Sequence, residues 1–330
     1  MNPKVLLLLS FSPALLLAAC SSAPPALSTT VIPADVDAYL RSQDAKVDGI
    51  IAGNEKTVVW AAARGEKTPL SLIYLHGYQG SPRDYSPVLE RVGKALGANV
   101  FFTRLSGYGV RTEAIVNVTP NDWIRDTSEA LAVGRQIGSR VIVVGSSMGG
   151  DLALWLAAQK QPDIGAFVLF SPAVQTKDSR ADMLLWPWPL PNIILGLVVG
   201  RYNVMRVDPA TYPTADLALF AERNPPRYRA VSTIKLMQVI RIVRALPLET
   251  VTAPSLWLYS NGDDAVDIPG LKKCFDRMGG AGKRLQLVAD AHSHMLGGDM
   301  FQPETTDELV SDVLGFLKDN GMQGELPSSR

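Results

Sequence analysis

An α/β fold, with a mostly parallel central sheet flanked by helices and interrupted by an inserted cap, is what this 330-residue sequence predicts. Three observations predict it. Short β-rich runs take turns with helix-length amphipathic segments, the rhythm of a sheet covered by helices. Several of those runs are apolar without alternation, as strands buried on both faces are. The rhythm then breaks once, between about Val174 and Val251.

The chain opens with Lys4, the apolar run Val5 to Leu9, and Leu15-Leu16-Leu17-Ala18-Ala19-Cys20. A short positive region, a short apolar core and small residues describe an export signal over 1–19. The run is interrupted by Pro13 and is too short for a comfortable membrane span. Leu17-Ala18-Ala19-Cys20 resembles the lipobox of bacterial lipoproteins. The resemblance implies that Cys20 becomes the first residue of the mature protein and carries the lipid. Ser21 beside it resembles lipoproteins sorted to the outer membrane, so a lipid-anchored place in the bacterial cell envelope is expected. Residues 20–45 are then the lipidated N-terminus and its tether, rich in Ser, Thr, Ala and Pro from Ser21 to Pro33.

The core follows in two parts, 46–173 and 252–330, around a cap at 174–251. Strands are predicted at Val58–Ala63, Leu70–Leu75, Val100–Arg104, Val141–Val144, Ala166–Phe170, Leu256–Tyr259 and Arg284–Val288. Between them helices are predicted at Pro87–Leu96, Asn121–Ile137, Met148–Gln159, Pro269–Met278 and Thr305–Asp319. Thr119-Pro120-Asn121-Asp122 supplies cap and first-turn chemistry for the second of these. Within the insertion, Trp186-Pro187-Trp188-Pro189-Leu190-Pro191 excludes a regular helix or central strand. A basic helical stretch is predicted near Tyr228 to Leu246.

Composition narrows the function. Thirty-two Lys and Arg balance 32 Asp and Glu, which leaves no electrostatic footprint for nucleic acid. Neither Gly-x-Gly-x-x-Gly nor a Gly-Lys-Ser/Thr phosphate loop is present. Three histidines and no His-Glu-x-x-His offer no metal ligand set, and no cofactor is implied. With Cys20 lipidated, Cys274 is left as a lone thiol, expected on a helix and at least half-buried.

The strongest local signal is Val141-Ile142-Val143-Val144-Gly145-Ser146-Ser147-Met148-Gly149-Gly150. A buried strand runs into Gly-x-Ser-x-Gly, and a helical pattern follows. The pentapeptide alone is common; its place between strand and helix sharpens it. Such a turn holds the serine in a strained conformation and needs glycine two residues away on either side, where side chains collide. Ser147 then stands above a helix N-terminus that favours developing negative charge. A serine hydroxyl needs a base, and the base an acid. His76 ends an early strand and reads as a brace for its loop, whereas His292 and His294 follow the last strand and offer the base. Asp263, Asp264 and Asp267 lie just past the strand before it and offer the acid.

With the order Ser, Asp, His established, the chain resembles the α/β-hydrolase superfamily, specifically the capped serine hydrolases that include monoacylglycerol lipases and lysophospholipases. The resemblance spans Val58 to Leu317 and rests on His76-Gly77, Arg104-Leu105-Ser106-Gly107-Tyr108-Gly109, Gly145–Gly149, Asp263 with Val266, and His294. It implies Ser147 as nucleophile, Asp263 as acid and His294 as base. An acid three residues before a valine favours Asp263 over Asp264, and the following Met295-Leu296 favours His294 over His292. The oxyanion hole is expected from the backbone N–H of Met148 and, by resemblance, of Tyr78. Two residues depart from the pattern: Ser146 stands where His is frequent before the nucleophile, and Tyr108 where His is frequent between two glycines.

The expectation is an envelope-anchored serine hydrolase of carboxylic esters with an apolar acyl chain, of lysophospholipid or monoacylglycerol type. Its partners are a small-molecule ester and, through the N-terminal lipid, the membrane. An aminopeptidase or amidase on the same scaffold is the alternative, ahead of a non-catalytic binding lipoprotein.

Overall fold

The computed structural model describes residues 26–186, 190–198, 200–204 and 207–323. The expected signal over 1–19, the expected lipidation site Cys20 and Pro187-Trp188-Pro189 lie outside them.

The first part of the core contains α1 (Val36–Asp44), β1 (Thr57–Val59), β2 (Thr68–Leu75), α2 (Val88–Leu96), β3 (Asn99–Phe102), α3 (Pro120–Ile137), β4 (Gly138–Ser146), α4 (Met148–Ala158) and β5 (Ile164–Phe170). The insertion contributes α5 (Leu190–Val198), a two-stranded antiparallel sheet of β6 (Tyr202–Asn203) and β7 (Tyr228–Arg229), α6 (Leu217–Arg223) between those strands, and α7 (Val231–Arg244). The second part adds β8 (Ser255–Tyr259), α8 (Ile268–Arg277), β9 (Lys283–Leu287) and α9 (Thr306–Asp319).

Seven strands form the main sheet in the order β1-β3-β2-β4-β5-β8-β9, and every pairing is parallel except that of the edge strand β1 with β3. This is the α/β-hydrolase architecture. Neighbouring side chains on a strand enter opposite cores, as a period of two requires. Ile73, Leu75, Val141, Val143, Phe167, Leu169 and Trp257 face α3, α4 and α7, while Leu72, Tyr74, Ile142, Val144, Val168, Phe170 and Leu258 face α2 and α9. That double burial is why β4 and β5 read as unbroken apolar runs.

The order reverses between β2 and β4: the chain steps outward to β3 and then returns to the other side of β2. Such a switch point opens a crevice at the carboxyl ends of the two strands. His76-Gly77-Tyr78 leaves β2 there, and Ser147 leaves β4.

Two expectations are corrected. The segment 20–45, expected as a tether, contains α1 over 36–44, which is docked on the core through the buried Val36 and Leu40. Asp35 caps it by accepting from the Ala38 N–H, and the Tyr39 hydroxyl donates to Glu129 Oε1 at 2.7 Å. Leu27 and Ile32 pack on the same core, and the Ser28 N–H reaches Ser128 Oγ. The strand expected over Val58–Ala63 pairs only over Thr57–Val59, because the Ala61 N–H turns to the Asn99 side chain at 2.9 Å instead of a neighbouring backbone.

Candidate active site

Ser147 occupies the turn between β4 and α4 at φ +49° and ψ −121°, a region that costs a side-chain-bearing residue about 1–3 kcal/mol. Its surroundings hold it there. The Ser147 N–H donates to the Phe170 carbonyl at 2.9 Å, and the Ser147 carbonyl accepts from Ala173, Gly150 and Asp151. A methyl on Gly149 would lie 1.9 Å from the Leu75 carbonyl oxygen, and one on Gly77 3.1 Å from Ser147 Cβ. The end of β2 therefore rests directly on the serine turn, and only glycine allows that approach. Ser146 turns the other way, its hydroxyl 2.9 Å from that of Tyr74.

Asp263 lies in the turn after β8 with its side chain fully covered. Its Oδ1 accepts from the Ala265 and Val266 N–H groups at 2.9 and 2.8 Å, which gives the valine three residues on a physical meaning. His294 Nδ1 donates to Asp263 Oδ2 at 2.9 Å and sits 3.2 Å from Oδ1. Burial raises the Asp263 pKa, but the His294 charge and hydrogen bond, with the two backbone donors, outweigh it and hold the carboxyl below its usual range. For His294, burial acts downward, and Asp263, with Asp264 behind it, raises the imidazole above its ordinary value. The neighbouring candidates go elsewhere. Asp264 is exposed and accepts from Ser293 Oγ at 2.8 Å, and His292 is exposed with its backbone N–H on Gln302. Asp267 caps α8 by accepting from the Gly270 N–H.

Because Nδ1 carries the proton toward Asp263, His294 Nε2 is left as an acceptor. Among the described residues, no hydrogen bond joins it to Ser147 Oγ in this structure. In enzymes without substrate such contacts are often long and tighten on binding. Ser147, Asp263 and His294 all follow carboxyl ends of parallel strands, β4, β8 and β9. The His294 loop is pinned by Tyr212, whose hydroxyl accepts from the Met295 N–H, and by Tyr85, whose hydroxyl accepts from that of Leu296.

His76 is a brace. Its Nε2 accepts from the Leu105 N–H at 3.0 Å, so Nδ1 donates to the Gly77 carbonyl at 2.9 Å. Burial pulls its pKa down to about 4 and keeps it neutral. Met148 opens α4, so its N–H is among the first four of the helix, which lack an intrahelical acceptor. Tyr78 follows Gly77, whose backbone lies against Ser147 Cβ. Sequence reasoning gave its side chain no role, yet its hydroxyl lies 2.9 Å from both Ser232 Oγ and Thr233 Oγ1 of α7. Nothing in the local sequence of either segment signals that pairing, which spans 154 residues.

Cys274 is half-buried on α8, and burial pushes its thiol up to about 12, so it is unreactive at neutral pH. A cavity of about 720 Å³, whose lining includes Tyr39, Lys56, Arg104, Asp126 and Glu129, includes none of Ser147, Asp263 and His294.

A sequence model of the family Hydrolase_4, described as serine aminopeptidase, S33, matches residues 67–299. The thermostable monoacylglycerol lipase of Bacillus sp. (strain H-257) is 26% identical over 244 residues, which cover 72% of this chain and 88% of the lipase. Among solved structures, that of the metagenome-derived lipolytic enzymes LipS and LipT superposes with a TM-score of 0.66 at 18% identity, covering 82% of this chain and 99% of that one. The monoacylglycerol lipase of Paleococcus ferrophilus superposes with a TM-score of 0.59 at 16% identity, covering 81% and 99%. At those identities the structural likeness is one of fold.

Proposed function

The chain belongs to the Hydrolase_4 family (serine aminopeptidase, S33), and from that premise we propose that it is a serine hydrolase of carboxylic esters bearing an apolar acyl chain, of monoacylglycerol or lysophospholipid type. The observation that carries the reading is Ser147, held at φ +49° at the head of a helix with an Asp263–His294 pair at the same edge of the sheet.

The chemistry follows from those groups. Ser147 Oγ attacks the ester carbonyl carbon as His294 Nε2 takes the hydroxyl proton, and a C–O bond forms. Negative charge moves to the carbonyl oxygen, where the N–H groups of Met148 and Tyr78 receive it; one such donor is worth about 3–4 kcal/mol. Asp263 steadies the imidazolium. Collapse breaks the bond to the alcohol, which leaves with the proton from His294. Water then repeats the sequence on the acyl-enzyme and releases the fatty acid.

Several features support an apolar substrate met at a membrane. On the cap, Trp186, Leu190 and Ile193 are half exposed and Leu197 is 82% exposed, with the last three along one side of α5. The lipobox-like sequence ends at Cys20, only seven residues before the docked Leu27, a reach of about 25 Å when extended. A lipid on Cys20 therefore keeps the domain beside the envelope membrane, and Ser21 favours the outer one.

The family's description raises a second reading, an aminopeptidase. A free substrate ammonium calls for acidic residues near the site, whereas Val174–Val251 carries ten Lys and Arg against six Asp and Glu. Two assays test the proposal. A fluorophosphonate probe should label the protein and fail to label Ser147→Ala. Hydrolysis of p-nitrophenyl esters should rise with chain length while aminoacyl anilides remain intact. Preference for acetyl esters removes the lipid assignment, and cleavage of the anilides installs the peptidase.

A further inference from the structure

Ser232, Thr233 and Gln79 lie within hydrogen-bond distance of the Tyr78 hydroxyl, with the Asn203 side chain of β6 also acting on it, and counting protons orders the first three. Ser232 Oγ donates its only proton to the Arg229 carbonyl at 2.8 Å, so toward Tyr78 it accepts. With the phenol proton committed to Ser232, Thr233 Oγ1 donates to Tyr78, as does Gln79 Nε2 at 3.1 Å. Donor and acceptor capacity of the phenol are thus filled. Both cap partners lie in the first turn of α7, whose body packs on α4, the helix that Met148 opens. One cap helix therefore touches the elements carrying both proposed oxyanion donors.

The residue has little freedom. Gly77 before it abuts Ser147 Cβ, and Gln79 after it stands at φ +57°. The Tyr78 ring meets Tyr108 edge-on at 6.3 Å, and Tyr108 stacks on Trp123 at 5.7 Å. Oxyanion stabilisation itself needs only the amide of residue 78, so a phenol with three satisfied hydrogen bonds is not explained by that chemistry.

We propose that Tyr78 is a positioning residue through which the cap sets the oxyanion hole: its hydroxyl, tied to Ser232 and Thr233, holds the residue 78 amide in register with Ser147. This rests on the reading of that amide as an oxyanion donor. Loss of the tie then slows acyl transfer without weakening substrate binding.

The test uses the full mature chain and four variants: Tyr78→Phe, the cap double variant Ser232→Ala/Thr233→Val, their triple combination, and Ser147→Ala. Values of kcat and KM are measured on one p-nitrophenyl ester, alongside the rate of fluorophosphonate labelling and the thermal midpoint. Tyr78→Phe and the cap double variant should each lower kcat about tenfold, inside the ~100-fold that a 1 Å misplacement can cost. KM should stay near that of the parent, the midpoint should fall modestly because buried partners are left unpaired, and the triple variant should be no slower than the slower of the other two. Unchanged kcat in both, a rise in KM alone, or losses that multiply in the triple variant overturn the proposal. Labelling that persists in Ser147→Ala overturns the underlying site assignment instead, so the two failures are told apart.

Discussion

His294 Nδ1 and Asp263 Oδ2 are 2.9 Å apart, whereas Asp264, the next residue, is turned away to Ser293. Two adjacent carboxylates thus have different work. Asp263→Asn should lower kcat by about 10³–10⁴-fold, since an amide can present its N–H to Nδ1 and favour the wrong tautomer. Asp264→Asn should cost far less, because it touches His294 only through its charge. Steady-state rates on one ester, measured for both variants, check this; equal losses would reassign the acid.

The pH dependence has a definite sign. As the proposed base, His294 can act only when neutral, and Asp263 raises its pKa above the ordinary 6.5. The acid limb of kcat/KM should therefore lie above pH 6.5, with activity rising as pH rises through the folded-state value. In Asp263→Asn the limb should move to lower pH while the plateau falls, because burial then acts without its counterweight. A limb that stays in place would mean that Asp263 does not set the imidazole's charge.

Glycine substitutions separate close approach from mere flexibility. Gly149→Ala puts a methyl 1.9 Å from the Leu75 backbone oxygen, which cannot give way without breaking the contact of β2 with the serine turn. A loss of more than about 3 kcal/mol, or no folded protein, is expected. Gly315→Ala, mid-helix in α9 with nothing within 4 Å of the added carbon, should stabilise by about 0.5–1 kcal/mol. Denaturant midpoints of the two variants give opposite signs.

These contacts also explain what the sequence made legible. The sheet was readable because β2, β4 and β5 are buried on both faces and so carry unbroken apolar runs. The serine turn was readable because its glycines are forced by backbone contact, and Asp263 because Val266 donates to it. Helix α1 was not, since Val36 and Leu40 are its only buried residues and its composition is that of a polar linker. Nor was the Tyr78 tie to Ser232 and Thr233: a hydrogen bond between segments so far apart leaves no local pattern.

Asp84 gives a stability test of the loop after Tyr78. The carboxyl accepts from the Ser81 N–H and hydroxyl, but burial outweighs both and raises its pKa to about 7. A group raised in the folded state contributes stability fully below its unfolded pKa of 3.8, and that contribution is lost as pH rises through about 7. Between pH 5 and 8 the parent should therefore lose stability relative to Asp84→Asn, whose amide does not titrate. Parallel pH profiles of unfolding free energy would remove Asp84 as the cause.

Helix α1 is part of the folded domain, and its removal has a calculable consequence. Asp44 at its end pairs with Arg104 at 2.8 Å, where the two side chains are 11% and 4% exposed. Arg104 follows β3 in the segment that leads to Tyr108, the ring packed against His76 and Tyr78. Without Asp44 the guanidinium is a buried charge lacking its partner, a loss of about 3–5 kcal/mol. Leu40→Ala should remove about 2–4 kcal/mol through the core contact alone. Deleting residues 20–45 should therefore lower both the unfolding midpoint and kcat, because Tyr108 packs against Tyr78, the residue whose amide is the proposed oxyanion donor. Asp44→Asn should fall between Leu40→Ala and the deletion in stability and lower kcat more than Leu40→Ala does. If instead the deletion left stability and rate at parental levels, residues 20–45 would be the passive linker their composition suggests, and Arg104 would have to find its counter-charge elsewhere.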